Sequence, residues 1–180
     1  MNVRKPVDYG TMYRELTAIL AQNLPQMDEV YAIGKAISQR PEKGAAVAAA
    51  EFLQANFPDR TGFSPRNVRR MRDFYKTYEN DQTLLRLAMK IGWTLNVVIM
   101  EAELPAEERC WYIRQAAAQS LSKSELLRMI EDSAYLESVL DEKVDVWYNE
   151  GNDEISERTQ YEEDPVYLSW QYLPQPDGRV

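Results

Sequence analysis

A chain of 180 residues, 44% hydrophobic and 28% charged, has the size and composition of a protein with one real core. It carries no histidine, one cysteine (Cys110) and a formal net charge of −8. These counts exclude Ser-His-Asp and Cys-His nucleophilic machinery, histidine-ligated zinc, a cysteine-rich metal site and an internal disulfide, and leave an enzyme only carboxylate, lysine or tyrosine chemistry. No apolar run reaches the roughly 20 residues of a membrane span. The N-terminal MNVRKPVDYG lacks the apolar stretch of a secretory signal, so a cytoplasmic protein is expected.

In chain order, the first predicted helix covers about Thr11–Gln22, with Tyr13, Leu16, Ile19 and Leu20 at helical spacing. Pro25 separates it from a second, about Gln26–Gln39, carrying Val30, Ile33 and Ile37. A third follows Pro41, and its alanines (Ala45, Ala46, Ala48, Ala49, Ala50) allow a neighbouring backbone to come close. The stretch Asn56–Gly62 has the Pro, Asp and Gly of a break. The segment Gly62–Tyr78, GFSPRNVRRMRDFYKTY, then sets Ser64 as N-cap and Pro65 at the first helical position. Val68, Met71, Tyr75 and Tyr78 share about one third of that helix's circumference, with Phe74 at the edge of the stripe.

Asn80 and Asp81 are expected to end this helix and cap a long buried one running from Leu84 to Met100; its Val97–Met100 run could also be a strand, but the setting favours helix. Pro105, Glu107 and Glu108 open a further helix to about Gln119, with Trp111, Tyr112 and Ile113 partly buried. Ser122 and Glu125 form a capping-box pattern before Leu126, Leu127, Met129 and Ile130. Past Val144 an acidic sequence with Trp147, Tyr148, Tyr161, Tyr167, Trp170 and Tyr172 reads as an arm, docked or partly disordered, with a strand at Val166–Leu173 as an alternative.

The charge is polarised. Arg60–Lys76 holds six bases (Arg60, Arg66, Arg69, Arg70, Arg72, Lys76) against Asp73, whereas Glu131–Val180 holds three bases against fourteen acids. The acidic total is therefore no argument against an anionic partner. The alanine-rich helix, the turn and the basic helix make a helix-turn-helix-like pair, although the turn is longer than the usual three or four residues. In such a pair Arg66, Asn67 and Arg70 hold early positions suited to base edges, and Arg69, Arg72 and Lys76 suit phosphates. The alternative for the same residues is a basic but merely solvated helix face.

Carboxylate-metal nuclease chemistry of the PD-(D/E)XK type finds little support. Pro58-Asp59 and Pro176-Asp177 lack a following (D/E)-x-K at suitable spacing, and Asp141-Glu142-Lys143 lies far from both. The acids Glu101, Glu103, Glu107 and Glu108 read as one helix end and the next helix start. Trp93, Trp111 and Tyr112 read as core before they read as base-stacking platforms, and Cys110 as a packed residue.

Several blocks together resemble the N-terminal domain of YhcG-type proteins, a bacterial domain of unknown function. They are Tyr31-Ala32-Ile33-Gly34-Lys35; Gly62–Val68 with Met71, Phe74 and Tyr75; Trp93; Trp111-Tyr112; and Ser122 with Leu126 and Ile130. The resemblance spans about Tyr9 to Leu140. It implies a helical, DNA-binding domain that commonly precedes a predicted PD-(D/E)XK nuclease domain. This chain departs in having a short acidic arm where the nuclease half is usual, in Ala32 and Leu95, and in Leu121 where tryptophan is usual.

The expectation is a mainly α, compact multi-helix domain over 9–140 with a helix-turn-helix-like pair, followed by an acidic aromatic arm over 141–180. Its expected role is a non-catalytic DNA-binding or regulatory module acting through Arg66, Asn67, Arg69, Arg70, Arg72 and Lys76, with no catalytic residues, metal or cofactor. The alternative is a protein-interaction accessory subunit or antitoxin-like partner of a separately encoded nuclease, engaged through the arm. Self-association is left open.

Overall fold

Side-chain caps fix where three of the helices begin. Ser64 Oγ accepts the Asn67 N–H at 3.3 Å with Pro65 next to it, Asp81 accepts the Leu84 N–H at 2.8 Å, and Ser122 and Glu125 close a reciprocal capping box. The computed structural model describes residues 7–143, and the regular structure among them is all helical. In order these are α1 (Gly10–Ala21), α2 (Gln26–Ser38), α3 (Ala45–Asn56), α4 (Pro65–Tyr78), α5 (Gln82–Ile91), α6 (Trp93–Glu101), α7 (Ala106–Gln119) and α8 (Lys123–Glu131). Residues 134–143 are helical as well. Contacts group the chain into two units, Met1–Tyr135 and Leu136–Val180, and the core and candidate site lie in the first. The acidic aromatic arm expected from 141 lies, from residue 144 on, outside the described residues.

α4 is seated chiefly on α2 and next on α3. Its Val68, Met71, Phe74 and Tyr78 are buried. Phe74, expected at the edge of the apolar stripe, is instead fully buried at the centre of an aromatic cluster. Its ring meets Tyr31 of α2 edge-on at 6.5 Å, Tyr78 at 4.9 Å and Trp93 of α6 at 5.8 Å. Gly34 on α2 lets the two backbones close up, since a Cβ there would lie 2.2 Å from the Met71 carbonyl oxygen. Small residues do the same for α3, where Ala45, Ala46, Ala49 and Ala50 are all buried.

The long helix expected across Leu84–Met100 is instead two helices. Gly92 takes φ 81°, ψ 169°, a conformation essentially reserved for glycine, and the chain turns there by 115° between α5 and α6. Asn96 makes the break tolerable. It is wholly buried, and its Nδ2 donates to the Ala88 carbonyl at 2.6 Å, supplying a partner at the bend, and to the Gly92 carbonyl at 2.8 Å, which the Asn96 backbone N–H also reaches at 3.3 Å. With both faces of a bend to cover, apolar residues on nearly all sides are what two short core helices require. Among the described residues no single helix is long and apolar enough to cross a membrane.

Tyr78 ends α4 with its hydroxyl buried and without a hydrogen-bond partner among the described residues. Burial is the main reason its phenol is pushed up to about 12, with Arg109 pulling the other way and Cys110 reinforcing the rise. The raised folded value means that Tyr78 supports the fold fully below about pH 10, the ordinary tyrosine value, and that this support is lost as pH rises towards about 12. In an ultraviolet alkaline titration, Tyr78 is expected to ionise after the exposed tyrosines. A Tyr78→Phe variant should lose that late step and keep its fold.

Candidate nucleic-acid interface

The face of α4 opposite its core stripe is basic. Taking 100° per residue, Arg66, Arg69, Arg70, Arg72 and Lys76 fall within about 160° of the circumference and span about 15 Å along the axis. Arg66, Arg69 and Lys76 are exposed, whereas Arg70 and Arg72 are half-buried. The structure thus brings the five predicted cations to one face, with Asp73 among them.

Most of that charge already has a partner. Arg66 Nη2 donates to Glu101 Oε1 at 2.7 Å, and Arg70 Nη2 donates to the same oxygen. Arg72 pairs with Asp73 at 3.0 Å. Arg60, counted with the basic cluster in sequence, belongs elsewhere: its Nη2 donates to both carboxylate oxygens of Glu29 at 2.7 Å, tying the α3–α4 turn to α2. Glu29 is 9% exposed, so Arg60 neutralises a buried carboxylate rather than facing solvent partners. Arg69 and Lys76 have no ion-pair partner among the described residues.

Asn67, the residue expected at a base edge, makes two hydrogen bonds within the domain. Its Nδ2 donates to the Gly62 carbonyl at 2.6 Å, and its Oδ1 accepts from Trp93 Nε1 at 3.1 Å. This links the turn, α4 and α6, and it orients Trp93 edge-on to Phe74. Trp93 is therefore wedged into the core's rim, in keeping with its helical spacing.

Two depressions flank α4. A cleft of about 480 Å³ is lined by Arg66, Arg69, Arg70, Asp73, Met100, Glu101 and Glu103. Its charges are of mixed sign. A groove of about 520 Å³ runs between α4, α6 and α8, with Trp93, Val97, Val98, Leu127 and Ile130 as apolar lining. Arg70 and Glu101 belong to both.

Glu101 controls the local field. The hydrogen bond from Arg70 and the positive charges of Arg70 and Arg66 outweigh partial desolvation and hold its carboxyl below the usual carboxylate range. Glu101 is thus ionised at neutral pH, and two arginines face a fixed anion. Local sequence could not show this, because Glu101 lies 35 and 31 residues from Arg66 and Arg70. The acids expected to mark only helix ends divide accordingly: Glu101 pairs with α4, while Glu107 and Glu108 sit in the first turn of α7. Among the described residues, no three cysteine, Asp or Glu side chains come together as a metal's ligands would.

Short helices around one core, with a cationic helix face at the surface, define an all-helical domain. The chain belongs to the DUF1016 N-terminal domain family, whose model matches residues 14–137. This is consistent with the YhcG-type resemblance. No curated protein and no solved structure matches it.

Proposed function

We propose that this domain binds nucleic acid through the exposed face of α4, without chemistry of its own. The observation that carries this reading is the placement of five cations on one solvent-facing arc, with Arg69 and Lys76 unpaired among the described residues. Guanidinium and ammonium groups at that spacing suit successive phosphates. Both polar groups of Asn67 are already engaged within the domain, which favours contact to the backbone more than to sequence. Fluorescence anisotropy with a labelled duplex at low salt tests it. Saturable binding that weakens as salt rises is expected, and no binding at low salt overturns the reading.

A second reading, a protein-binding accessory module, is favoured by the α4–α6–α8 groove. Its apolar lining and mixed-charge rim have the composition of an interface centre and its surround. Leu127 is 38% exposed on that groove, so Leu127→Asp should leave the fold intact while placing a charge where an apolar partner group would sit. Affinity purification from the native host checks this. A stoichiometric partner retained by Arg69→Glu and lost by Leu127→Asp is expected, and a partner indifferent to Leu127→Asp rules the groove out as its seat.

A further inference from the structure

The convergence of Arg66 and Arg70 on a single carboxylate oxygen deepens the nucleic-acid reading and rests on it. The two side chains stand four residues apart on one helix, so they project from adjacent turns towards a common point. Glu101 reaches that point from the last residue of α6. Two donors crowd one acceptor atom there, and the second carboxylate oxygen takes neither. Arg66 Nη2 and Arg70 Nη2 both use Glu101 Oε1, while Arg70 Nε is buried with no acceptor among the described residues. Arginine cannot shed these protons, and its planar fork is built for a multi-oxygen anion. A tetrahedral phosphate presents more oxygens than the one now shared, so the two guanidinium groups need not crowd a single atom.

We infer that Arg66 and Arg70 form a phosphate subsite for which Glu101 is the place-holder: its carboxylate fills the position in the free domain, and a backbone phosphodiester takes that position on binding. Three features of the cleft agree. Glu101 is 43% exposed, so its side chain can swing into water without opening the core. Arg66 is 75% exposed and reaches the cleft from outside, whereas Arg70 is 23% exposed and held by its surroundings. Arg69 lines the same cleft with no acid of its own among the described residues, so an entering strand meets an unpaired cation before it must displace the paired ones. Affinity is therefore set by competition. The domain's own carboxylate lowers its hold on phosphate and discriminates against anions too weak to replace it.

The test uses the full chain and a labelled duplex in anisotropy titrations. Glu101→Gln removes the charge and keeps the shape; Glu101→Ala serves beside it, and thermal unfolding confirms that both fold. Each is expected to bind about three- to fivefold more tightly than the parent, since a competing exposed ion pair of roughly this strength is gone. The effect should vanish in an Arg66→Ala/Arg70→Ala background. Glu103→Gln is the control for simple loss of a negative charge, because Glu103 lines the same cleft without an ion-pair partner among the described residues. It should change affinity less than about twofold. If Glu101→Gln gains no more than Glu103→Gln while Arg69→Glu still weakens binding, the place-holder is refuted and the α4 reading stands. If neither the parent nor any Glu101 variant binds the duplex, both fall together.

Discussion

Replacing Gly34 with alanine should cost about 3 kcal/mol of stability, towards the upper end of what overpacking does, and lower the melting temperature by some 10 °C for a domain of this size. The cause is geometric. A Cβ at residue 34 would stand 2.2 Å from the Met71 carbonyl oxygen, 2.8 Å from its carbonyl carbon and 3.0 Å from Tyr75 Cβ. The first two are backbone atoms of α4 and cannot rotate away, so α2 and α4 must separate. Separation would loosen the edge-on contact of Tyr31 with Phe74 and its 5.0 Å approach to Tyr75. Position 34 lies inside α2, where alanine has the better helix propensity. A gain from propensity therefore opposes the clash, and a stability rise would show that the helices have room to spare. Chemical denaturation followed by circular dichroism checks it.

The double variant Arg69→Glu/Lys76→Glu should reduce duplex affinity on the order of 100-fold or more, because two phosphate contacts become like-charge repulsions. These two positions are the sharpest probes of the face. Both are exposed, neither has an ion-pair partner among the described residues, and neither packs into the core. Surface charge changes of this kind usually alter stability by less than about 0.5 kcal/mol, so lost binding would not be lost folding. Arg72→Glu should do less than either, since Arg72 is already paired to Asp73 and half-buried.

Much of the fold is legible in the sequence because its signals are local. Ser64 with Pro65 and Ser122 with Glu125 mark helix starts within a few residues, and the structure honours both. The bend at Gly92 is not legible. Leu84 to Met100 reads as one apolar helix, and the break depends on a positive φ together with an asparagine four residues on whose side chain reaches back to the Ala88 carbonyl. Met12 is fully buried in the core place that spacing assigns to Tyr13, whose ring instead stacks on Phe52 at 4.3 Å. For the candidate site, the basic face follows from periodicity alone. Its internal pairing does not, since Glu101 and Trp93 reach Arg66, Arg70 and Asn67 across 26 to 35 residues of chain. Tyr31, Gly34, Phe74 and Trp93, on which the family resemblance rests, seat α4 rather than line its exposed face.

The salt dependence of duplex binding tests the central claim most directly, because it counts phosphate contacts without reference to sequence. For the parent chain the slope of log affinity against log salt should fall between about −2 and −4, the range for two unpaired cations joined by up to two that must first leave Glu101. In Arg69→Glu/Lys76→Glu the slope should approach zero as binding is lost. A parent that fails to bind at low salt, or a double variant that keeps the parent's affinity and slope, would contradict the assignment of α4 as the nucleic-acid face.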